Sequence, residues 1–215
     1  MNLVNAQEII NTFNLLNESK VNYILLRNID DKIPYNQPLL SDIDILVPKK
    51  NFNVISNLLI KASFYENKNH CINDIYLYGA DKHRQFIKNN VLLDFQFQLM
   101  VRSLDAGQWI PLDQKIQKSA WENKRFEKIS EEFGFWTLSY NDEFLTLVVR
   151  SIFDKREFQE GYIKRIEELK EKIYLNDVIK KMELVFFKFT PYLLEMIDKK
   201  DYKNIIKNYI QFKGY

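Results

Sequence analysis

The chain has 215 residues, 46% of them apolar, with only five Gly and five Pro; this suits one domain of moderate size, or an α/β domain with a helical extension, and argues against a disordered chain or a turn-rich all-β sandwich. The formal net charge of +2 lacks the basic excess of a nucleic-acid-binding domain, so nucleic acid is not an expected partner. Cys71 is the sole cysteine, no apolar run reaches the roughly 18 residues of a membrane span, and Met1-Asn2-Leu3-Val4-Asn5 has no signal-peptide pattern, so the expected location is the cytoplasm.

In chain order, Ile9, Ile10, Phe13 and Leu16 fall at helical spacing and predict a helix over Ala6 to Glu18. Val21 to Leu26 reads as a buried strand, followed by Arg27-Asn28 and a polar loop holding Pro34 and Pro38. Asp42 to Val47 alternates strictly, which puts Asp42 and Asp44 on one strand face and Ile43, Ile45 and Val47 on the other. Pro48 ends this strand, and Phe52, Ile55, Leu58 and Leu59 mark a second helix. Short strands are expected over Asp74 to Tyr78 and Arg84 to Lys88, then a tight turn at Asn89-Asn90, because Asn tolerates positive φ. Val91 to Leu99 is another alternating strand, with Leu93, Phe95, Phe97 and Leu99 opposite Asp94, Gln96 and Gln98.

Composition changes after about Met100. A helix over Pro111 to Ala120 and a strand over Gly134 to Leu138 come next. Ser139 with Asp142 is a helix-start signal for Asn141 to Phe153. Glu157 to Lys172, Asn176 to Phe189, Tyr192 to Lys199 and Tyr202 to Gln211 are successive helices, two of them separated by Pro191. The expected division is an α/β part over residues 1–105 and a mainly helical part over 106–215.

Two Asp residues at i and i+2 of a strand stand side by side, roughly 7 Å apart along the backbone. They repel unless a cation lies between them, and hard oxygen ligands suit Mg²⁺ or Mn²⁺. Asp94 lies on the polar face of its own strand and joins the pair if the two strands are neighbours. Three carboxylates could then hold two ions for displacement at phosphorus. A merely solvated strand face is the alternative for the Asp-x-Asp pair taken alone.

These residues resemble the nucleotidyltransferase superfamily, whose fold is shared with DNA polymerase β. Its marks are a strand, a short Gly-Ser or Gly-Gly turn, a loop, a strand bearing Asp-x-Asp, and a third Asp on a later strand. Here they correspond to Val21 to Leu26, Arg27-Asn28, the pair Asp42 and Asp44, and Asp94. The narrower likeness is to stand-alone bacterial nucleotidyltransferase-like proteins, some associated with polysaccharide-biosynthesis genes, and it spans about residues 20 to 170. The resemblance implies an α+β fold: a nucleotidyltransferase-like mixed β-sheet flanked by helices, followed by a helical C-terminal subdomain.

The activity it implies is metal-dependent transfer of an NMP from an NTP, such as ATP, to a hydroxyl of a small molecule: a sugar, a sugar phosphate or an aminoglycoside-like acceptor. Asp42, Asp44 and Asp94 are the implied metal ligands and catalytic residues, with Mg²⁺ or Mn²⁺ as cofactor. Arg27, Asn28 and Ser41 would line the phosphate side. His83, Arg84 and Lys155 are further nucleotide-binding candidates, each with a bland counterpart as a solvated loop or helix residue. The chain departs from the family at Arg27-Asn28, where backbone N–H groups normally approach phosphates. Asn28 can keep the turn by adopting the left-handed conformation, and Arg27 can offer its guanidinium to a phosphate or pair with Asp30 or Asp31. That departure keeps two alternatives open: a catalytically degenerate nucleotide-binding or regulatory module, and an antitoxin-like nucleotidyltransferase acting on a protein or tRNA. The adjacent His70 and Cys71 lack any further zinc-ligand spacing, and Trp109, Trp121 and Trp136 are expected to be packing residues.

Overall fold

The computed structural model describes residues 3–68, 72–103 and 108–210, the side chains of Tyr209 and Ile210 excepted. Strands are β1 (Ile24–Leu25), β2 (Asp42–Leu46), β3 (Tyr65–Asn67), β4 (Ile75–Tyr76), β5 (Arg84–Lys88), β6 (Val91–Gln96), β7 (Met100–Arg102), β8 (Gln108–Pro111), β9 (Arg125–Lys128) and β10 (Gly134–Thr137). Helices are α1 (Ala6–Glu18), α2 (Phe52–Lys61), α3 (Gln114–Glu122), α4 (Tyr140–Arg150), α5 (Glu160–Lys170), α6 (Leu175–Phe186), α7 (Thr190–Asp198) and α8 (Tyr202–Ile210). The expected α+β class is what the structure shows.

The chain forms two compact units that interleave in sequence. One comprises Met1–Asp74, Asp81–Leu99 and Asn123–Leu138, and the other Ile75–Ala80, Met100–Glu122 and Ser139–Tyr215. These differ from the consecutive parts 1–105 and 106–215 expected from composition. The reason is non-local strand pairing: Thr137 of β10 pairs in parallel with Leu25 of β1, which draws 123–138 into the first unit.

The first unit is built on a mixed sheet of order β3-β5-β6-β2-β1-β10-β9. One face of this sheet carries a core that includes residues of α1 and α2. Helix α1 is capped by Asn5, whose side chain accepts the Gln7 N–H, and it buries Ile9, Thr12, Phe13 and Leu16. Phe13 meets Tyr23, Phe133 and Phe135 with ring centroids 5.7–6.1 Å apart. Phe52, at the start of α2, packs on Phe86, Phe95 and Phe97. Ile43 and Ile45 of β2 and Leu93 and Phe95 of β6 belong to this core, so the alternation sends Asp42, Asp44 and Asp94 to the opposite face. Gly134 is sterically required: a Cβ there would meet the Glu127 carbonyl and the Phe126 ring at 2.7 Å.

The second unit holds a three-stranded sheet of order β4-β8-β7 and helices α3 to α8. Helix α4 contacts α5 and α6, and α7 bridges α6 and α8. Asp142, fully buried on α4, pairs with Lys181 of α6 at 2.6 Å and accepts the Ser119 hydroxyl of α3 at 2.9 Å. Ser139 caps α4 by accepting the Asp142 N–H, as its position predicts. Beyond Arg150 the helix widens into a π-helical turn, Ser151–Lys155, and ends at the left-handed Arg156. No described helix is long and apolar enough to cross a membrane.

Several sequence boundaries shift. The strand expected over Val21 to Leu26 pairs only at β1, the one over Val91 to Leu99 ends at Gln96, and the helix expected over Pro111 to Ala120 runs from Gln114 to Glu122. Pro191 sits in the first turn of α7, where its missing N–H costs nothing, instead of separating two helices. The His70-Cys71 pair and Gln211 to Tyr215 lie outside the described residues.

Candidate active site

The sheet register brings the three carboxylates together. Strands β2 and β6 run parallel with Asp44 directly beside Asp94 and Asp42 beside Leu92. Neighbours in register point their side chains to the same face, so the pleat alone aligns all three acids. One carboxylate oxygen each from Asp42, Asp44 and Asp94 lies within 4.8 Å of the others. Asp42 is exposed, whereas Asp44 and Asp94 are buried, with 9% and 4% of their surfaces accessible. The inferred neighbourhood of the two strands is therefore present, and the acids form one cluster.

Basic and amide groups flank it. Arg27, just past β1, forms an ion pair with Asp44. This replaces the pairing with Asp30 or Asp31 considered from sequence, because Leu26 hydrogen-bonds to the Asp44 carbonyl and so places the next residue beside β2. Gln96 Nε2 donates to Asp44 Oδ1 at 3.2 Å. His83 Nδ1 is 3.4 Å from Asp94 Oδ2, and only 3% of His83 is exposed. Gln85 sits opposite Asp94 in the antiparallel pairing of β5 with β6 and accepts a hydrogen bond from Asn67 at 2.6 Å.

An all-oxygen, anionic donor set suits a hard divalent cation. Oxygens sharing such an ion at about 2.1 Å stand up to about 4.2 Å apart, so small side-chain rotations close the observed cluster onto a Mg²⁺ or Mn²⁺ ion. The three residues fit the implied metal.

The remaining candidates divide. Asn28 is not left-handed: its φ is −134°, and its side-chain oxygen accepts the Ile33 N–H at 2.9 Å. Positive φ values fall instead on Asp30 and Asp31, at 58° and 49°, so the tight bend lies further along than the family pattern places it. Ser41 immediately precedes β2, and its carbonyl accepts the Gln37 amide at 2.8 Å. Arg84 forms an ion pair with Glu66 and lies 5.1 Å from the Phe52 ring centroid. Lys155 is exposed on the π-helical turn of the other compact unit, next to Asp154, which pairs with Arg150 one turn back at 3.0 Å. Trp109 is buried beneath the Arg102 guanidinium, and Trp136 packs on Phe126, as packing residues do.

Sequence reading missed the cleft beside His83. It has a volume of about 580 Å³ and is lined by residues of 49–53, 66–68, 81–84 and Phe97. Its one advance signal was the run Lys82-His83-Arg84; the contributions of Lys49, Glu66 and Lys68 come from a turn and an edge strand that carry no period.

No protein-family model and no curated protein matches the chain. Solved structures do. The antibiotic-resistance factor ANT(2″)-Ia in solution aligns with a TM-score of 0.50 at 9% identity, covering 91% of this chain and 97% of its own. The same protein in complex with adenylyl-2″-tobramycin gives 0.49 at 9% identity over 80% and 91%. The lincosamide antibiotic adenylyltransferase LnuA, lincomycin-bound, gives 0.46 at 12% identity over 80% and 100%. None of these concerns polysaccharide synthesis, so that narrower part of the resemblance is without support. At such identities the likeness is one of fold, and it agrees with the resemblance carried by the acidic strands: this chain has the nucleotidyltransferase fold, shared with DNA polymerase β.

Proposed function

We propose that the protein transfers a nucleotidyl group from an NTP to a hydroxyl of a small-molecule acceptor. The observation that carries this reading is the register of Asp44 beside Asp94, which gathers Asp42, Asp44 and Asp94 within 4.8 Å. In this reading Asp42, Asp44 and Asp94 hold Mg²⁺ or Mn²⁺. When bound, the ions supply positive charge for the α-phosphoryl group and the leaving pyrophosphate. Asp94 accepts the proton of the acceptor hydroxyl as its oxygen bonds to the α-phosphorus and the α–β phosphoanhydride bond breaks, releasing pyrophosphate. His83 holds Asp94 in place through the 3.4 Å contact. Gln96 orients Asp44. Arg27, paired with Asp44, can turn its guanidinium to a phosphate oxygen, and Asn28 and Ser41 would line the phosphate side with it. A small acceptor is supported by the weak basic excess of the chain and by the fold it shares with an antibiotic-resistance factor.

A second reading is favoured by one observation. Arg27-Asn28 stands where the fold's catalytic members carry a Gly-containing turn, and Arg27 engages Asp44. A nucleotide-binding module without turnover follows from that. Calorimetry with each NTP, with and without Mn²⁺, separates the readings when paired with a pyrophosphate-release assay. The enzyme is expected to bind at least one NTP only with Mn²⁺ and to release pyrophosphate when an acceptor is present. The Asp42→Asn/Asp44→Asn variant should stay folded and lose Mn²⁺-dependent binding at least about a hundredfold. Tight binding without pyrophosphate release from any acceptor mixture would favour the module, and no Mn²⁺-dependent NTP binding would refute both.

A further inference from the structure

We infer that the cleft beside His83 is an acceptor subsite for a small phosphate-bearing molecule. This deepens the nucleotidyl-transfer reading and rests on it. The volume of about 580 Å³ suits a small ligand.

Its charge is cationic. Lys49, Lys68, Lys82 and Arg84 line it against only two carboxylates, Glu66 and Asp81. Both carboxylates are already neutralised: Arg84 pairs with Glu66, and Lys49 with Asp81 at 2.5 Å. Asp81 is fixed further by its backbone N–H, which donates to Gln98 at 3.3 Å. Lys68 and Lys82 are exposed and have no ion-pair partner among the described residues. A polycationic acceptor would face two uncompensated ammonium groups here, whereas a phosphate ester would be held by them. Phe52 and Phe97 form an apolar wall, edge to face at 5.0 Å, against which the body of a sugar or similar ring can lie.

Two links join the cleft to the acidic cluster. His83 lines the cleft and reaches Asp94 on its inner side. Asn67, also in the lining, donates to Gln85, which stands opposite Asp94 in the sheet. A molecule anchored by its phosphate at Lys68 and Lys82 therefore extends toward the carboxylate that takes the acceptor proton. The phosphate of the NTP itself is the other source of the same chemistry, and the test separates the two.

The full-length protein is titrated calorimetrically with inorganic phosphate and glucose 6-phosphate without metal, with glucose and tobramycin as controls, and separately with Mn²⁺·ATP. The wild type is expected to bind both phosphate compounds and neither control. Lys68→Ala/Lys82→Ala, which changes two exposed side chains, should weaken glucose 6-phosphate binding about tenfold or more and leave Mn²⁺·ATP binding unaltered. Equal weakening of Mn²⁺·ATP would assign the cleft to the NTP and overturn the acceptor subsite. Binding of tobramycin in place of the phosphates, or phosphate binding indifferent to the two lysines, would overturn it as well. Failure of Mn²⁺·ATP to bind the wild type, beside a lysine-dependent sugar-phosphate signal, would remove nucleotidyl transfer and with it the acceptor role, while the phosphate-ester site would stand.

Discussion

Arg27 decides how the acidic cluster behaves before a metal arrives. Three carboxylates on one strand face repel one another, and the guanidinium on Asp44 relieves part of that repulsion. It therefore competes with a divalent ion for the Asp44 carboxylate. Arg27→Ala is expected to tighten Mn²⁺ binding about tenfold, because the competitor is gone. The same variant should weaken NTP binding in saturating Mn²⁺, because a phosphate ligand is gone with it. Mn²⁺ titration followed by electron paramagnetic resonance, beside nucleotide calorimetry, reads both. A loss of Mn²⁺ affinity in the variant would show that Arg27 supports the metal site. His83 stands to Asp94 much as Arg27 stands to Asp44, but through an imidazole that is almost wholly buried.

At the scale of elements, what was legible in the sequence tracks how strongly the local period was written. β2 and β6 alternate, so the faces of Asp42, Asp44 and Asp94 could be read before their partnership was known. The hairpin between β5 and β6 was legible because Asn89 and Asn90 both take positive φ, 46° and 66°, which few other residues tolerate. Helix α1 matched residue for residue, since an Asn cap and an apolar stripe fix its start and face. β3, β7, β8 and β9 have three or four residues each, too few for a period, and escaped notice. The reach of β10 back to β1 is equally silent in sequence, as it depends on the sheet and not on any local pattern. In the helical unit, Asp142 ties α3, α4 and α6 through one buried carboxylate. Asp142→Ala leaves Lys181 without that partner and should lower stability by about 3–5 kcal/mol, read as a shift of the urea midpoint. A loss below about 1 kcal/mol would mean that Lys181 finds water instead.

For the whole molecule, each compact unit holds a buried phenol that makes stability depend on alkaline pH. Burial raises the pKa of Tyr23 in the first unit, partly offset by its hydrogen bonds with Asn17 and Trp136. Burial also raises that of Tyr202 in the second, and its hydrogen bond to Glu167 adds to the effect. A phenol in the unfolded chain ionises near pH 10. Below that pH both states keep the protons and stability is full; as pH rises above about 10 the unfolded state loses protons that the folded state retains, and stability falls. Urea unfolding at pH 8 and pH 11 should show this loss, and the Tyr23→Phe/Tyr202→Phe variant should show less of it. An equal pH slope in the variant would locate the sensitivity elsewhere. The central claim, that Asp42, Asp44 and Asp94 act together as a metal and nucleotide site, has its most direct test in a crystal structure with Mn²⁺ and a non-hydrolysable ATP analogue. Anomalous scattering should place Mn²⁺ within about 2.4 Å of oxygens from all three residues, with the α-phosphate of the analogue on the same ion. Mn²⁺ absent from the cluster while Arg27 stays on Asp44, or an analogue bound away from these carboxylates, would contradict it.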